Sequence, residues 1–286
     1  MTSGKILRNS ELVCRRLARS HYENFLVASI LLPRRLRQPF YNIYAFCRTA
    51  DDLADQSPSP EAALTALDDL QSDLDATFAG HPPDTSFFPA LAHTVETFDL
   101  AKKPFEDLLS AFRQDQHVTQ YASMPELIDY CTRSANPVGR IVLQLAGQLN
   151  EQTAPLSDQI CTGLQLANFW QDVKRDWEIG RVYLPQDACR RHGVQPRDLA
   201  DSRTPETLKS LLAQLCDDAE AHFHRGLPLA EHVPRWLAGD IRLFAHGGLA
   251  TLQAIRKIDF DVLRVRPKVT KMVQLKLMTR AATGRL

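Results

Sequence analysis

The sequence predicts an all-α protein that forms one domain over residues 1–286. Apolar residues recur at three- and four-residue spacing in several segments, which is typical of helices with one buried face. No long alternating run is bounded by the turn sequences of a β hairpin. Neither loop-like stretch, 81–89 or 193–205, has the length or composition of a linker. We therefore expect about ten helices packed around one core.

Local sequence signals mark several helix boundaries. The segments 59–61 and 204–206 each combine Ser or Thr with Pro and Glu, which predicts a helix with Pro at its first position. Ser123 and Glu126 have the spacing of a capping box, which predicts a third helix start. Gly80, just ahead of two prolines, predicts the end of the helix that begins near residue 60.

Composition and charge argue against several classes of protein. The 286 residues are 44% hydrophobic, and 34 basic residues balance 34 acidic ones. Such a neutral chain is not typical of proteins that bind nucleic acid. The six cysteines form no C-x-x-C pair, which favours reduced thiols in a cytosolic protein. The most apolar early run, 25–32, is too short to cross a bilayer, so we expect a cytoplasmic protein that at most associates with the cytoplasmic face of a membrane.

The first of two acidic motifs lies within residues 44–55. On a helix, four polar residues of this segment share one face, which holds two carboxylates one turn apart. They are Tyr44, Arg48, Asp51 and Asp55. The intervening residues are mostly apolar, and carboxylates in apolar surroundings need a cation. Arg48 supplies part of this charge, but a divalent ion is the stronger candidate.

The second acidic motif lies within residues 165–176. Its face again has helical spacing, and it consists of Gln165, Asn168, Asp172 and Asp176. All of these donors are oxygens, which suits Mg²⁺, an ion that binds a few carboxylates together with water and substrate phosphates. A lone acidic pair is more often a solvated helix surface. Two matching motifs in apolar sequence favour metal binding, and we predict Mg²⁺ as the cofactor.

Facing acidic motifs predict a chemical role. Mg²⁺ held between them would bind a diphosphate group and stabilise its departure. Basic residues within or just after the motifs, Arg48, Arg175 and Arg181, complete the charge balance. We expect the segment 180–185 to close over the site, with Tyr183 as a further candidate for substrate contact.

The motifs, with the segments 21–55, 130–140, 165–185 and 259–271, resemble the squalene/phytoene synthase family, and the similarity covers almost the whole chain. This resemblance implies the isoprenoid synthase fold, a single helical bundle around a central substrate cavity. It also implies functional residues, with the four aspartates and Tyr130 as the catalytic ones. The implied metal ligands are Asp51, Asp55, Asn168, Asp172 and Asp176. The implied substrate contacts are Phe25, Tyr44, Arg48, Tyr130 and Gln165.

Three segments, 21–25, 134–140 and 168–172, resemble the branch of this family that makes hydroxysqualene in bacterial hopanoid pathways. This resemblance implies that presqualene diphosphate loses diphosphate and that water captures the rearranged cation without a reductant. Glu23 and Gln171 stand where condensing relatives often carry a basic residue. An enzyme that holds one diphosphate needs fewer cations than one that holds two, so these departures fit the branch. Arg175, where relatives often have Glu, offsets part of the loss.

Other functions stay open at this point. The chain resembles head-to-head synthases that make presqualene diphosphate, squalene or phytoene, although positions 23 and 171 argue against that activity. A non-catalytic scaffold would not need intact metal ligands, and a lipid carrier would not need acidic motifs. Because substrate and product are lipids, we also consider membrane contact through the basic C-terminal tail and handover with other squalene-pathway enzymes. A solvated final helix is the simpler interpretation of that tail.

Two details concern single residues. The resemblance suggests a basic residue near the diphosphate from the C-terminal piece, where Val265 separates Arg264 from Arg266, and we take Arg266 as the candidate. Tyr130 is either part of a helix core or an aromatic wall beside a carbocation, and the resemblance favours the wall. We expect a bend after this residue, because Pro137 removes a helical hydrogen bond.

Overall fold

A computed structural model of the chain describes residues 3–20 and 32–282. These ranges contain twelve α helices and two short 3₁₀ helices. The only β structure within them is an isolated parallel bridge between Gln120 and Val182. The prediction of an all-α protein is confirmed, with somewhat more helices than expected.

The helices are numbered here in chain order. The first six are α1 (Ser3–Ser20), α2 (Arg34–Gln56), α3 (Pro60–Phe78), α4 (Phe88–Phe98), α5 (Lys103–Gln114) and α6 (Met124–Ser134). The next six are α7 (Asn136–Leu145), α8 (Thr153–Glu178), α9 (Gln186–His192), α10 (Glu206–Gly226), α11 (Arg235–Lys257) and α12 (Lys271–Ala282). The 3₁₀ helices span Pro196–Ala200 and Leu227–Glu231. None of the helices in the described ranges is long and apolar enough to cross a membrane.

Contacts between Cα atoms divide the chain into two compact units. Unit 1 comprises Met1–His117 and Pro137–Asn150, and unit 2 comprises Val118–Asn136 and Glu151–Leu286. Within unit 1, α2 packs against α1, α3, α4 and α5. Within unit 2, α8 packs against α6, α10 and α11, and α12 packs against α11. A single domain over residues 1–286 stays a prediction.

The predicted helix starts are found in the structure. The Ser59 hydroxyl accepts a hydrogen bond from the Ala62 N–H at 3.3 Å, and α3 begins at Pro60. The helix ends just before Gly80, whose φ of +82° lies in the left-handed region that favours glycine. The second predicted start is also found, because α10 begins at Glu206, but Pro205 precedes the helix instead of occupying its first position.

The predicted capping box at α6 is only half formed. The Ser123 hydroxyl accepts a weak hydrogen bond from the Glu126 N–H at 3.5 Å. The Glu126 carboxylate, however, accepts from the N–H of Ala122. Each side chain still accepts a hydrogen bond from one backbone N–H group at the start of the helix. Glu126, however, binds the N–H of the residue before the one expected in a capping box.

The predicted bend after Tyr130 is a full interruption of the helix. Ala135 separates α6 from α7 and has φ −124° and ψ −49°, outside helical geometry. The buried side chain of Asn136 then accepts a hydrogen bond from the Thr162 hydroxyl at 3.0 Å. A polar contact with α8 therefore holds the chain at this break.

Small residues bring the three central helices of unit 2 together. Phe223 on α10 is fully buried and lies against Gly163 on α8 and Gly248 on α11. A Cβ atom would lie 3.2 Å from this ring at Gly163 and 2.1 Å from it at Gly248. Because no side chain fits at Gly248 without moving the Phe223 ring, the close packing of α10 on α11 requires glycine at this position.

Asp240 is an isolated buried carboxyl group on α11. It is 4% exposed, and its Oδ1 atom has no hydrogen-bond partner among the described residues. Burial raises the pKa of Asp240 from its ordinary value of 3.8 to about 8. The group is therefore protonated in the folded chain at neutral pH.

Replacing Asp240 by Asn should remove a pH dependence of stability. Between pH 3.8 and about 8, the folded wild-type chain keeps a proton that the unfolded chain has released. Its free energy of unfolding therefore falls as the pH rises through this window and stays low above it. Asp240→Asn should match the wild type near about pH 4 and exceed it by about 4–6 kcal/mol above about pH 8, at about 1.4 kcal/mol for each unit of the pKa difference.

Urea unfolding at several pH values measures this effect. Asp218→Asn is a matched control, since Asp218 is exposed on the neighbouring helix α10, and its curve should run parallel to that of the wild type. Parallel curves for Asp240→Asn as well would show that the buried carboxyl group does not control the pH dependence.

Candidate functional site

The first acidic motif lies in the C-terminal half of α2. Arg48 donates from Nη1 to Asp51 Oδ2 at 2.9 Å and from Nη2 to Asp52 Oδ1. Asp51 and Asp52 are partly buried, whereas Asp55, one turn further on, is exposed. The guanidinium group of Arg48 thus pairs with two carboxylates of the motif, so it neutralises only part of their charge.

Aromatic packing holds this part of α2 in place. Phe46 is fully buried, and its ring lies 5.2 Å from that of Phe105 on α5 and 6.4 Å from that of Phe87, both in edge-to-face geometry. Such pairs add specific geometry to the burial of apolar surface. Since Phe46 and Ala50 face the core of unit 1, the opposite side of α2 presents Arg48 and Asp51.

The second acidic motif lies near the C-terminal end of α8. Arg266 donates from Nε and Nη2 to the two oxygens of Asp172, and the Nη2–Oδ2 distance is 3.0 Å. Arg175 lies further away, with 3.8 Å between its Nη1 and Asp172 Oδ2. Arg264 instead pairs with Asp261, with 2.7 Å from Nε to Oδ2. Of the two candidate arginines, Arg266 is therefore the one that reaches the second motif.

A neutral side chain ties the C-terminal segment to the same helix. Gln171 donates from Nε2 to the backbone carbonyl of Pro267 at 2.7 Å. Gln171 is next to Asp172 on α8, and their partners, Pro267 and Arg266, are adjacent in the C-terminal segment. Together they fix the segment that carries Arg266 against α8, at the position of the second motif.

Asp176 has a raised pKa in the folded chain. Burial, with a further contribution from the charge of Asp172, raises its pKa to about 7, although the nearby Arg181 opposes the shift. Asp176 and Arg181 also line a small cavity of about 10 Å³, together with Phe169 and Tyr183. A partly buried carboxylate beside a second carboxylate favours the binding of a cation.

The donor set fits Mg²⁺. Asn168, Asp172 and Asp176 lie on one face of α8 and offer only oxygen atoms, the ligands that this ion prefers. In the described ranges no group of three or more His, Cys, Asp or Glu side chains is placed to hold a metal ion. Mg²⁺ does not require one, because it keeps several waters and binds through one or two carboxylates and substrate phosphates.

An aromatic cluster lies beside the second motif. Phe169 and Tyr183 stack with ring centroids 3.9 Å apart and 12° between the ring planes. Tyr130 and Tyr121 complete the cluster, at 6.1 Å and 5.8 Å from the Tyr183 ring. Tyr130 is 3% exposed, so it is a core residue whose ring belongs to this cluster. Tyr130 and Tyr183 are candidates from the sequence, whereas Tyr121 and Phe169 join the cluster without a signal in the sequence.

Backbone hydrogen bonds hold the segment that follows α8. Gly180, with φ +80°, ends the helix, and the Arg181 N–H donates to the Asp176 carbonyl at 2.8 Å. The Val182 N–H donates to Thr119 at 2.7 Å, and the Gln186 N–H donates to Tyr121 at 3.0 Å. The segment expected to close over the site is thus paired with residues 119–122, which positions Arg181 and Tyr183.

The remaining predicted site residues are placed as follows. Tyr44 on α2 and Gln165 on α8 are partly buried, and Asn168 and Arg175 on α8 are exposed. Phe25 lies outside the described residues, as does Glu23. The roles of these residues in binding stay predictions.

Comparisons with known proteins show which family the sequence and the fold resemble. The sequence model of the squalene/phytoene synthase family matches residues 18–273. A 15-cis-phytoene synthase from Synechocystis sp. is 30% identical over 281 residues, which cover 92% of this chain and 82% of that protein. A hydroxysqualene synthase from Sinorhizobium fredii is 34% identical over 213 residues, 74% of this chain and 71% of that protein. The crystal structure of squalene synthase HpnC from Alicyclobacillus acidocaldarius matches with a TM-score of 0.84 and 42% identity, over 89% of this chain and 96% of that one.

Proposed function

This chain belongs to the squalene/phytoene synthase family, and from that premise we propose that it converts presqualene diphosphate to hydroxysqualene in an Mg²⁺-dependent reaction. The fold is the isoprenoid synthase fold that the sequence predicts. In the proposed reaction the C–O bond to diphosphate breaks and the cyclopropylcarbinyl cation rearranges. Water then adds to the product cation and loses a proton, so that one water is consumed and no reductant takes part.

The observation that carries this proposal is the hydrogen bond that Gln171 donates to the C-terminal segment. The Gln171 amide nitrogen donates this hydrogen bond to the Pro267 carbonyl, and this neutral side chain next to Asp172 supplies no positive charge. Arg266 is then the principal cation that the C-terminal segment brings to Asp172. A small number of positively charged side chains beside Asp172 suits an enzyme that binds one diphosphate group. The similarity to hydroxysqualene synthase supports the same choice.

The acidic motifs have the role of binding and orientation in this proposal. Asp51 and Asp55 on α2, and Asn168, Asp172 and Asp176 on α8, would ligate Mg²⁺. Bound Mg²⁺ would neutralise the diphosphate oxygens as negative charge develops on them. Arg48 would add fixed positive charge beside the first motif, and Arg181 and Arg266 would add it beside the second. Tyr44, Gln165 and Phe25 are proposed substrate contacts on the resemblance alone.

The aromatic cluster has a separate proposed role. Once diphosphate leaves, the polyprenyl cation needs surroundings that stabilise positive charge without reacting with it. We assign this role, through cation–π attraction, to the partly exposed Tyr183 and to Tyr130, which lies buried beside it. Their packing with Tyr121 and Phe169 keeps the rings in fixed orientations, which limits the directions from which water adds.

A second candidate function is the head-to-head condensation of two prenyl diphosphates. The 30% identity to a phytoene synthase over almost the whole chain favours it. Arg175 would supply part of the additional positive charge that a second diphosphate requires. A non-catalytic family member acting as a scaffold is the candidate from another class, but it would have no need of the carboxylates on α2 and α8.

A product assay separates these candidates. Purified protein and Mg²⁺ are incubated with presqualene diphosphate and, separately, with farnesyl diphosphate, without NADPH, and the extracted lipids are identified by mass spectrometry. We expect hydroxysqualene from the first substrate and no product from the second. Presqualene diphosphate or a hydrocarbon from farnesyl diphosphate would instead establish the condensing activity. No product from either substrate, in a sample that binds Mg²⁺, would favour the scaffold.

A further inference from the structure

The C-terminal part of the chain has an uneven distribution of charge. Residues 262–286 contain seven basic residues and no acidic one, whereas the first 261 residues contain 27 basic and 34 acidic ones. The seven are Arg264, Arg266, Lys268, Lys271, Lys276, Arg280 and Arg285. A chain with zero net charge therefore carries a local basic segment, which favours an anionic partner.

Helix α12 carries apolar side chains on the surface of this segment. Met272 is 80% exposed and Leu275 is 64% exposed. They are three residues apart and lie with Thr279 on one face. The opposite face of α12, which carries the buried Ala281, packs on α11. A helix in contact with water alone usually carries polar residues on its outer face, so the exposed Met272 and Leu275 favour a further partner for α12 over a solvated final helix.

Basic residues border the exposed apolar face on both sides. At 100° per residue, Lys276 and Arg280 lie on one side of Met272, and Lys271 lies on the other. This arrangement is typical of helices that rest in the plane of a membrane surface, with apolar residues inserted and lysine chains reaching to the lipid headgroups. With twelve residues, α12 is about 18 Å long, so it can lie on a bilayer but cannot cross it.

We propose that the outer face of α12 binds the surface of membranes that contain anionic lipids. The exposed apolar side chains would insert into the bilayer. The basic residues of the segment, with no acidic residue among them, would attract the anionic lipid headgroups. A protein partner would have to offer an acidic and apolar groove, whereas an anionic bilayer offers both properties over its whole area. This inference does not depend on the reaction that the chain catalyses.

Vesicle sedimentation with the full chain tests the proposal. Vesicles of phosphatidylcholine alone are compared with vesicles that also contain phosphatidylglycerol, at low and high salt. We expect the protein to sediment with the anionic vesicles, to bind the neutral ones weakly, and to be released by salt. The paired change Met272→Ser and Leu275→Ser should weaken binding about tenfold or more, because both insertions are lost. The paired change Lys271→Gln and Lys276→Gln should weaken it about 25-fold, at about fivefold per charge.

Two matched controls accompany these variants. Leu12→Ser changes a leucine that is 45% exposed on α1, and Arg190→Gln changes an exposed arginine on α9. Both should bind anionic vesicles as the wild type does, and circular dichroism should show that all variants are folded. The proposal is wrong if the wild type stays in the supernatant with anionic vesicles, or if the α12 variants bind as well as the controls. It is equally wrong if sedimentation velocity without lipid shows a dimer that the α12 changes abolish, because a second copy would then cover the face.

Discussion

Asp172→Asn should lower kcat by about a hundredfold or more while the protein stays folded. The change removes one charged ligand of the proposed metal site, and the removal of a single electrostatic contact to a developing anion typically costs about 10²–10³ in rate. The change keeps the size of the side chain, and Asp172 is partly exposed, so the free energy of unfolding should change by about 1 kcal/mol or less. The same loss of activity is expected for Asp51→Asn on α2.

Turnover, Mg²⁺ titration by calorimetry and urea unfolding should be measured on the same preparations. Asp69→Asn is a suitable control, since Asp69 is an exposed carboxylate in an acidic pair on α3 that we interpret as solvated. It should keep full activity and wild-type Mg²⁺ binding. Near-normal turnover in either Asp51→Asn or Asp172→Asn would refute ligation by that motif.

Arg266→Gln should lower kcat/KM by about 10- to 100-fold, mainly through a higher KM. A hydrogen bond to a charged group contributes roughly 1.5–3 kcal/mol, which corresponds to this range. Arg266 is 94 residues away from Asp172 in sequence but donates hydrogen bonds to both of its carboxylate oxygens. In the proposed reaction its guanidinium group would bind the substrate diphosphate instead. Arg266→Lys should recover only part of the loss, because an ammonium group cannot form the two parallel hydrogen bonds.

Arg264→Gln provides the matched comparison, because Arg264 lies two residues away and pairs with Asp261 instead. Its kcat/KM should stay within about twofold of the wild type, because Arg264 does not contact Asp172. Steady-state kinetics with presqualene diphosphate measure both variants. Equal losses at the two positions would mean that the general charge of the segment matters, rather than the contact between Arg266 and Asp172.

Helices and the two acidic motifs could be predicted because their signals are local. Ser59 and Gly80 act through hydrogen bonds and backbone geometry within a few residues, so their positions already indicate the ends of α3. The spacing of Asp172 and Asp176 places them one turn apart on any helix. These features do not depend on the rest of the fold.

The contacts that complete the candidate site are distant in sequence and carry no periodic signal. Nothing in the sequence around Phe169 distinguishes a core residue from one that stacks on Tyr183 across a turn. Tyr121 lies in a loop and joins the cluster only because residues 119–122 pair with the segment after α8. Asp240 gives no signal either, since a single acid on an amphipathic helix is normally exposed.

The distribution of tryptophan gives the two units different optical properties. The chain has three tryptophans, and all of them, Trp170, Trp177 and Trp236, belong to unit 2. Indole fluorescence therefore reports the unfolding of that unit, while far-ultraviolet circular dichroism reports helices in both. Coincident transitions would describe one cooperative domain over 1–286, and separate transitions would describe two. Trp170 and Trp177 also flank Asp172 and Asp176 on α8, so the protein contains an intrinsic probe for cation binding at the second motif.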